Sequence, residues 1–236
     1  MKKVSIVIPA YNEASTIERV LDAVRRAPLP NGLSEKEIIV VNNGSWDATA
    51  DILLRQSDIR VITLQPNKGK GGALKAGFRE ATGDIVMVQD ADMEYDPADY
   101  PALLEPVVSG RTEAVVCKRP LSDMPLWKGY QDVRHIAPYV GNRFINRVIN
   151  ILYGNSCKDY ACTYKIFTKR LIDEITVRTN GFDYEFELLC KIMKRGYTLF
   201  EIPVRYQPRS YEEGKKIRAL DGLHIMWVAI RSKLIG

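Results

Sequence analysis

Short apolar runs alternate with helical patterns along the first 118 residues. The strand candidates are VSIVIPA (4–10), EIIVV (37–41), RVITL (60–64), DIVMV (84–88) and EAVVC (113–117). These runs are too apolar to have a solvent face, which is typical of parallel strands that are covered on both sides. Between them, STIERVLDAVRRA (15–27) and DATADILLRQ (47–56) carry apolar residues at helical spacing, and Ser15 with Glu18 predicts a capping box at the first helix. The repeated order predicts an α/β fold with one doubly wound, mostly parallel, Rossmann-like sheet.

The pattern changes after Lys118. A loop with proline and tryptophan (120–130) precedes two predicted helices, IAPYVGNRFINRVINILYG (136–154) and FELLCKIMKRG (186–196). The second has the i, i+3, i+4, i+7 spacing of a buried helix face, at Phe186, Leu189, Cys190 and Met193. No linker rich in Gly, Ser or Pro separates the halves 1–118 and 119–236. We therefore expect one compact unit.

The two ends of the chain are also apolar. The first run is interrupted by Asn12 and Glu13, so it predicts a strand rather than a signal peptide. The last segment, LHIMWVAIRSKLIG (223–236), is apolar nearly all round and has to be buried against the domain, a membrane partner or a lipid interface. We expect packing on the domain. No stretch approaches the roughly 20 apolar residues that span a bilayer.

Charge is divided unevenly between the two halves. Residues 1–110 carry 12 Lys and Arg against 16 Asp and Glu, whereas residues 111–236 carry 22 against 13. A basic half fits nucleic acid, anionic lipid or a phosphorylated substrate. The aromatic residues are not interleaved with the basic ones as stacking platforms would be, which argues against nucleic acid. The four cysteines form no CxxC pair, and we expect buried free thiols in a reducing cytoplasm.

The polar loops should meet at one place. In doubly wound sheets, ligands bind beyond the carboxyl ends of the strands. The loops predicted at that edge are PAYNEAS (9–15), NNGSWDAT (42–49), QPNKGKGGA (65–73) and QDADMEYDP (89–97). We expect these four loops to line a single crevice.

An acidic cluster follows the fourth predicted strand. Asp90 and Asp92 are two residues apart, so in an extended segment both carboxylates point to one side, with Glu94 as a possible third. Like charges this close need a positive counterpart. Oxygen ligands suit Mg²⁺ or Mn²⁺, which usually also bind water and substrate phosphates. The alternative is a solvated acidic loop, and we favour the metal because ligands gather at this edge of the sheet.

The glycines of NKGKGGALKAG (67–77) precede a predicted helix beside Lys68 and Lys70. Glycine lets backbone N–H groups approach phosphate oxygens at a helix start. The spacing is not that of a Walker motif, and an ordinary turn is the alternative. Next to the acidic cluster, the segment indicates a diphosphate that is held by a metal and by the main chain.

Ordered motifs along nearly the whole chain resemble glycosyltransferase family 2, and more closely its dolichyl-phosphate mannose synthase-like branch. The motifs are IVIPAYNEASTI (6–17), IIVVNNGSWDATADIL (38–53), NKGKGGALKAG (67–77), VQDADMEYDP (88–97), CKR (117–119), DYACTYKIF (159–167), RGYTLFEIPVRY (195–206) and RSYEEGKKI (209–217). The resemblance implies a GT-A fold, a nucleotide-sugar donor, a divalent metal and inversion at the anomeric carbon. It makes 1–118 the nucleotide-sugar half and 119–236 the acceptor half.

The resemblance also implies roles for individual residues. The nucleoside would lie near Pro9, Tyr11, Glu13 and Asn42, with Lys70 near the nucleoside or phosphates. The metal would bind Asp90 and Asp92, with Glu94 able to add a ligand. The catalytic group would be Asp92 with the phosphate-binding cations Arg119, Arg209, Lys215 and Lys216. The family commonly has Asp-Asp-Gly-Ser where this chain has Asn42-Asn43-Gly44-Ser45, which leaves the donor open between GDP-mannose and a UDP-hexose.

The acceptor remains open between two classes. The basic loop RYQPRSYEEGKKIR (205–218) suits closure over phosphates, although it could be a solvated turn. A polyprenyl phosphate, which needs no general base, is our leading acceptor, and it predicts a cytoplasmic enzyme peripheral to a membrane. A soluble or glycan hydroxyl is the alternative and needs a base, for which the candidates are Asp159, Asp183, Glu185 and Glu187. A non-catalytic nucleotide-sugar binder is more remote.

Overall fold

The computed structural model describes residues 2–120, 136–207 and 219–235. Its strands are β1 (Lys2–Ala10), β2 (Leu33–Asn42), β3 (Arg60–Thr63), β4 (Ile85–Val88), β5 (Ala114–Lys118), β6 (Lys165–Thr168) and β7 (Phe200–Pro203). Its helices are α1 (Ile17–Arg26), α2 (Thr49–Leu54), α3 (Gly69–Glu80), α4 (Tyr100–Val108), α5 (Ile136–Tyr153), α6 (Lys169–Glu174), α7 (Asp183–Lys194) and α8 (Ala219–Leu234). The predicted loop 120–130 and most of the basic loop lie outside the described residues.

Within the described residues, the strands form one seven-stranded sheet in the order β3-β2-β1-β4-β6-β5-β7. β6 is antiparallel to both of its neighbours, and the other pairs are parallel. The predicted α/β fold with a mostly parallel sheet is therefore confirmed. The second half of the chain contributes β6, which lies between β4 and β5, and β7 at one edge.

The core lies on both faces of this sheet. In β1, Val4, Ile6 and Ile8 face one apolar cluster, which includes α1 and α4. Val7 faces the other cluster, which includes α3, α5, α7 and α8. Successive side chains of a strand point to opposite faces, so continuous apolar runs are buried on both sides. The four positions that predicted the buried face of α7 are all buried.

The predicted capping box at α1 is wrong. The helix begins at Ile17, and its N-cap is Thr16 rather than Ser15, with no side-chain cap bond to the helix. The Thr16 hydroxyl donates to the Glu13 carboxylate at 3.0 Å instead. Ser15 and Glu18 are therefore one position out of register for a reciprocal cap.

The prediction of free thiols is wrong for two of the four cysteines. Cys117 in β5 and Cys162, just before β6, form a disulfide, whereas Cys157 and Cys190 are buried free thiols. The two strands are neighbours in the sheet, which brings the sulfurs together over 45 residues of sequence. The free thiols were the basis for predicting a reducing cytoplasm, so that prediction loses its support.

The C-terminal segment packs on the domain along one face only. Ile225, Val228 and Ala229 of α8 are buried with α5 and α7, and the Tyr153 hydroxyl donates to the Ala229 carbonyl at 2.8 Å. Its opposite face is exposed, at Leu223, Trp227 and Leu234. None of the helices in the described ranges is long and apolar enough to cross a membrane.

Candidate active site

A cavity of about 370 Å³ opens where β1, β2 and β4 end at their carboxyl termini. Its wall includes residues from all four loops that the sequence predicted to converge, and from the segments that follow β5 and precede β6. The wall includes Pro9, Tyr11, Glu13, Asn43, Gly69, Lys70, Asp90, Asp92, Glu94, Tyr95, Arg119, Thr163, Phe182, Glu185 and Tyr206. Its size is in the range of small-molecule binding sites.

Asp90 has the positive counterpart that the acidic cluster requires. The Lys70 ammonium lies 2.9 Å from Oδ1 of Asp90, and the Thr163 hydroxyl donates to Oδ2 at 2.5 Å. Burial alone would raise the pKa of Asp90, but Lys70 and Thr163 lower it below its usual value. Burial lowers the pKa of Lys70, but the carboxylates of Asp90 and Glu185 more than offset this effect and raise the pKa above its usual value. Both groups are therefore ionised at neutral pH.

Asp92 and Glu94 lie on the same wall. Oδ1 of Asp92 accepts from the Glu94 backbone N–H at 3.1 Å, which fixes the turn after the second aspartate. The Glu94 carboxylate accepts from the Tyr206 hydroxyl at 3.2 Å. Across the described ranges, no three His, Cys, Asp or Glu side chains are grouped as a metal site, and the role of Glu94 as a third ligand stays a prediction. Asp90 and Asp92 alone still fit Mg²⁺ or Mn²⁺, which commonly bind one or two carboxylates together with substrate phosphates.

Arg119 reaches the cavity as part of an ion pair. Its Nε and Nη2 donate to the Asp159 carboxylate at 2.7 and 2.9 Å, and its guanidinium lies 5.3 Å from the Tyr206 ring centroid. Asp159 is only 1% exposed. A bidentate pair of this kind fixes the plane and direction of the guanidinium. Arg119 therefore presents a fixed edge to the cavity rather than a freely moving cation.

Ion pairs and a backbone hydrogen bond join the start of the basic loop to the acidic segment that follows Asp92. Arg205 pairs with Asp96 at 3.1 Å and with Asp99 at 2.8 Å, and the Gln207 N–H donates to the Glu94 carbonyl. Arg205 therefore has a structural role here. Three predicted cations, Arg209, Lys215 and Lys216, lie outside the described residues.

The predicted nucleoside end is only partly brought together. Pro9, Tyr11 and Glu13 line the cavity, but Asn42 does not. Asn42 is 3% exposed, and its carboxamide oxygen accepts from the Ser45 N–H at 3.1 Å. Its neighbour Asn43 lines the cavity and binds the Gly69 carbonyl and the Lys68 N–H. Of these two asparagines, Asn43 rather than Asn42 therefore faces the cavity.

The glycines at the start of α3 serve close packing more than phosphate binding. A Cβ on Gly71 would lie 2.3 Å from Cβ of Tyr184, and a Cβ on Gly69 would lie 2.3 Å from the Asn180 carbonyl oxygen. The Gly72 N–H is used by the same carbonyl, at 3.2 Å. Gly69 also has a positive φ of 76°, which favours glycine. The Asn180 carbonyl therefore occupies one N–H of the predicted main-chain cradle, and phosphate binding by this turn stays a prediction.

Sequence reasoning missed several contacts of the site. Thr163 lies within the quoted motif DYACTYKIF, yet nothing in its spacing indicates a bond to Asp90, 73 residues away. Each candidate base has a side-chain partner: Asp159 pairs with Arg119, Glu185 with Lys70 and Lys165, and Glu187 with Lys191, whereas Asp183 contacts the His224 imidazole at 2.9 Å. Such pairings depend on how distant elements pack, which the sequence pattern does not contain.

Comparisons with known proteins agree with this geometry. The sequence model described as Glycosyl transferase family 2 matches residues 5–176. The chain is 29% identical over 234 residues to Glycosyltransferase AglD of Haloferax volcanii, covering 94% of this chain and 36% of AglD. It thus spans about a third of that relative. The dolichyl-phosphate mannose synthase-like branch is not specifically supported.

Solved structures with the same fold include glucosyl-3-phosphoglycerate synthase from Mycobacterium tuberculosis. Its complex with Mn²⁺, UDP and phosphoglyceric acid matches with a TM-score of 0.72 and 22% identity, over 100% of this chain and 80% of that one. Its complex with Mg²⁺ and UDP matches with a TM-score of 0.70 and 22% identity, over 99% and 78%. These complexes agree with the predicted Mg²⁺ or Mn²⁺. The family match covers well over half of the chain, which therefore belongs to glycosyl transferase family 2, the nucleotide-sugar-dependent glycosyltransferases.

Proposed function

We propose that this protein transfers a hexose from a UDP-sugar to a phosphorylated acceptor in a divalent-metal-dependent, inverting reaction. The observation that carries the proposal is that Asp90, its partner Lys70 and Asp92 line one cavity, where three parallel strands end. Carboxylates for a metal and a cation for phosphates are the groups that a nucleoside diphosphate leaving group requires.

The residues of the cavity would have different roles in this reaction. A divalent cation on Asp90 and Asp92 would neutralise the charge that develops on the leaving diphosphate. Lys70 supplies an ammonium on the same wall, and Thr163 orients the Asp90 carboxylate. Arg119, held by Asp159, contributes a fixed guanidinium edge for phosphate oxygens. Tyr11 and Pro9, at the end of β1, would contact the nucleoside.

The proposed donor is a UDP-hexose, with GDP-mannose as the alternative. The support comes from the M. tuberculosis synthase, whose structures contain UDP and share the fold of this chain. The Asn42 side chain, which the family resemblance places near the nucleoside, is turned into the 42–45 turn. It therefore gives no support to either nucleotide.

A soluble phosphorylated molecule with a hydroxyl nucleophile is the first candidate acceptor. The M. tuberculosis synthase is a fold neighbour whose complex contains phosphoglyceric acid, a soluble phosphorylated compound. The cavity of this chain has cations to hold such a phosphate, namely Lys70 and Arg119. A hydroxyl nucleophile also requires a carboxylate within hydrogen-bonding reach to take its proton.

Polyprenyl phosphate is the second candidate, and two observations favour it. Three of the four carboxylates that could act as a base are paired with Arg or Lys, and the fourth, Asp183, contacts the His224 imidazole, whereas a phosphate oxygen needs no base. In addition, α5 and α8 pack on each other and expose apolar side chains, at Val140, Phe144, Ile151, Leu223, Trp227 and Leu234. The side chains described on these two helices (140–153 and 222–234) include no acidic residue. Such a face suits an anionic lipid surface.

One assay separates the candidates. The protein is incubated with Mg²⁺ and radiolabelled UDP-glucose or GDP-mannose, with either 3-phosphoglycerate or polyprenyl phosphate as acceptor, and the products are partitioned into organic solvent. Acceptor-dependent label that stays in water supports the soluble acceptor, and label in the organic phase supports the lipid. The proposal fails if neither acceptor increases the release of nucleoside diphosphate from any donor.

A further inference from the structure

Four charged side chains of alternating sign run from the core to the cavity wall. Lys165 of β6 lies 3.2 Å from Oε1 of Glu185 in α7, and Oε2 of Glu185 lies 3.4 Å from the Lys70 ammonium. Lys70 in turn lies 2.9 Å from Asp90. The exposed fractions of the four side chains are 1%, 8%, 16% and 18% in this order. The chain of charges connects a buried strand position to the first aspartate of the metal pair.

Lys165 is the unusual member, because it does not line the cavity. Its ammonium also donates to the Cys162 carbonyl, and burial lowers its pKa. Among the residues that the structure describes, Glu185 is the carboxylate that pairs with it. Burying a lysine ammonium has a large desolvation cost, which an ion-pair partner can offset. If the charge had no role, an apolar residue would therefore be favoured at this position. The role that the geometry allows for the Lys165 ammonium is to fix the position of the Glu185 carboxylate.

Glu185 divides its two oxygens between two lysines. Because Lys165 holds Oε1, the other oxygen is fixed beside Lys70, which then lies between Glu185 and Asp90. An ammonium on Asp90 competes with a divalent cation for the same carboxylate oxygens. Once a cation takes Asp90, the Lys70 ammonium has Glu185 and the donor diphosphate as its remaining anions.

We propose that Lys165 and Glu185 are positioning residues that set how firmly the Lys70 ammonium is held on Asp90: Glu185 draws Lys70 away from Asp90, and Lys165 restrains Glu185. On Asp90, the Lys70 ammonium competes with the divalent cation until donor diphosphate binds. This inference rests on the proposed function. Its consequence is that metal and nucleotide bind cooperatively. The metal alone has to displace Lys70, whereas metal with diphosphate gives Lys70 a new partner. Such coupling between two ligands is commonly 5-fold or more in affinity, as an order-of-magnitude figure.

The test measures Mn²⁺ affinity of the full chain from the electron paramagnetic resonance of free Mn²⁺, without and with UDP. Lys70→Met should bind Mn²⁺ alone more tightly than wild type and lose most of the cooperativity with UDP. Glu185→Gln, which removes the anion that competes with Asp90 for the Lys70 ammonium, should bind Mn²⁺ alone more weakly. Lys165→Met, which strengthens the pull of Glu185 on Lys70, should bind Mn²⁺ alone more tightly.

The opposite signs of the Glu185→Gln and Lys165→Met effects distinguish positioning from a merely structural role. Lys191→Met is the matched control, since Lys191 pairs with Glu187 on the same helix, at 2.7 Å, outside the cavity. It should leave Mn²⁺ affinity unchanged. Shifts of the same sign, or none in folded variants, would overturn the inference. If Lys165→Met fails to fold, the opposite shifts in Mn²⁺ affinity expected for Lys70→Met and Glu185→Gln test the inference instead. Wild type that binds neither Mn²⁺ nor UDP would instead refute the proposed function.

Discussion

Gly71 sets how closely α3 approaches α7. With no side chain there, the first turn of α3 lies directly against Tyr184, and this approach places Lys70 between Asp90 and Glu185. A single missing Cβ thus connects the packing of two helices to the charges of the cavity. In the sequence, the same glycine suggests a phosphate-binding turn.

Gly71→Ala should lower the free energy of unfolding by about 1–3 kcal/mol, the usual cost of adding a methyl group to a tightly packed contact. The matched control is Gly141→Ala in α5, where the new Cβ meets nothing within 4 Å. That change should raise the free energy of unfolding by about 0.5–1 kcal/mol through helix propensity. Urea denaturation measures both, and equal effects at the two positions would contradict the packing argument.

The spacing of Asp90 and Asp92 could be interpreted from the sequence because it is local. Alternation in an extended segment predicts that both carboxylates face one side. The partners Lys70, Thr163 and Glu185 could not be predicted, since each comes from a different element and meets Asp90 or its lysine only after packing. The inward turn of Asn42 was missed for a similar reason, because it depends on a turn bond to Ser45.

At the scale of elements, Glu187 joins α7 to the segment before it. Its carboxylate accepts from the Arg178 and Thr179 N–H groups and pairs with Lys191. Burial opposes the charge, but these bonds lower the pKa of Glu187 from its usual 4.5 to about 2. A lowered pKa in the folded state stabilises the protein above the unfolded-state pKa, and the contribution is lost as pH falls through the folded-state pKa.

Glu187→Gln should therefore be destabilising at pH 7, and the difference from wild type should shrink as pH falls from about 4.5 toward 2. Urea titrations of both proteins between pH 3 and 7 measure the difference. A difference that stays constant over this range would mean that the charge of Glu187 contributes nothing to folding.

The disulfide joins β5 to the segment that precedes β6. Cys117 is two residues before Arg119, and Cys162 is directly before Thr163, so the disulfide ties together the segments that carry the cation and the partner of Asp90. Thiol titration in denaturant without reductant should detect two thiols of the four cysteines, and four after reduction. Four thiols before reduction would show that Cys117 and Cys162 are not joined.

The five apolar runs of the first half were predicted correctly as strands because parallel strands covered on both faces have no polar positions. β6 and β7 were missed. Each is only four residues long, and β6 follows the polar motif DYACT, so neither has a recognisable period. Their place in the sheet depends on pairing with β4 and β5, which is a long-range property.

At the scale of the whole molecule, the apolar side chains that α5 and α8 expose allow a test of the lipid acceptor. Phe144→Ser and Trp227→Ser together should reduce co-sedimentation with vesicles of phosphatidylcholine and phosphatidylglycerol if this face meets a membrane, since both side chains are more than half exposed. The matched control is Leu54→Ser, which removes an apolar side chain that is 80% exposed on α2. Equal loss in both proteins, or no binding by wild type, would favour the soluble acceptor.

The central claim is that Asp90 and Asp92 make nucleotide binding depend on a divalent metal. Isothermal titration of UDP into wild type, Asp92→Asn and the surface control Asp173→Asn, each with Mn²⁺ or with EDTA, tests it most directly. Wild type and Asp173→Asn should bind UDP more tightly with Mn²⁺ by about tenfold or more, since even groups behind a metal ligand have effects of that size. Asp92→Asn should lose this dependence while remaining folded. Equal UDP affinity of wild type in Mn²⁺ and EDTA, or unchanged metal dependence in Asp92→Asn, would contradict the account.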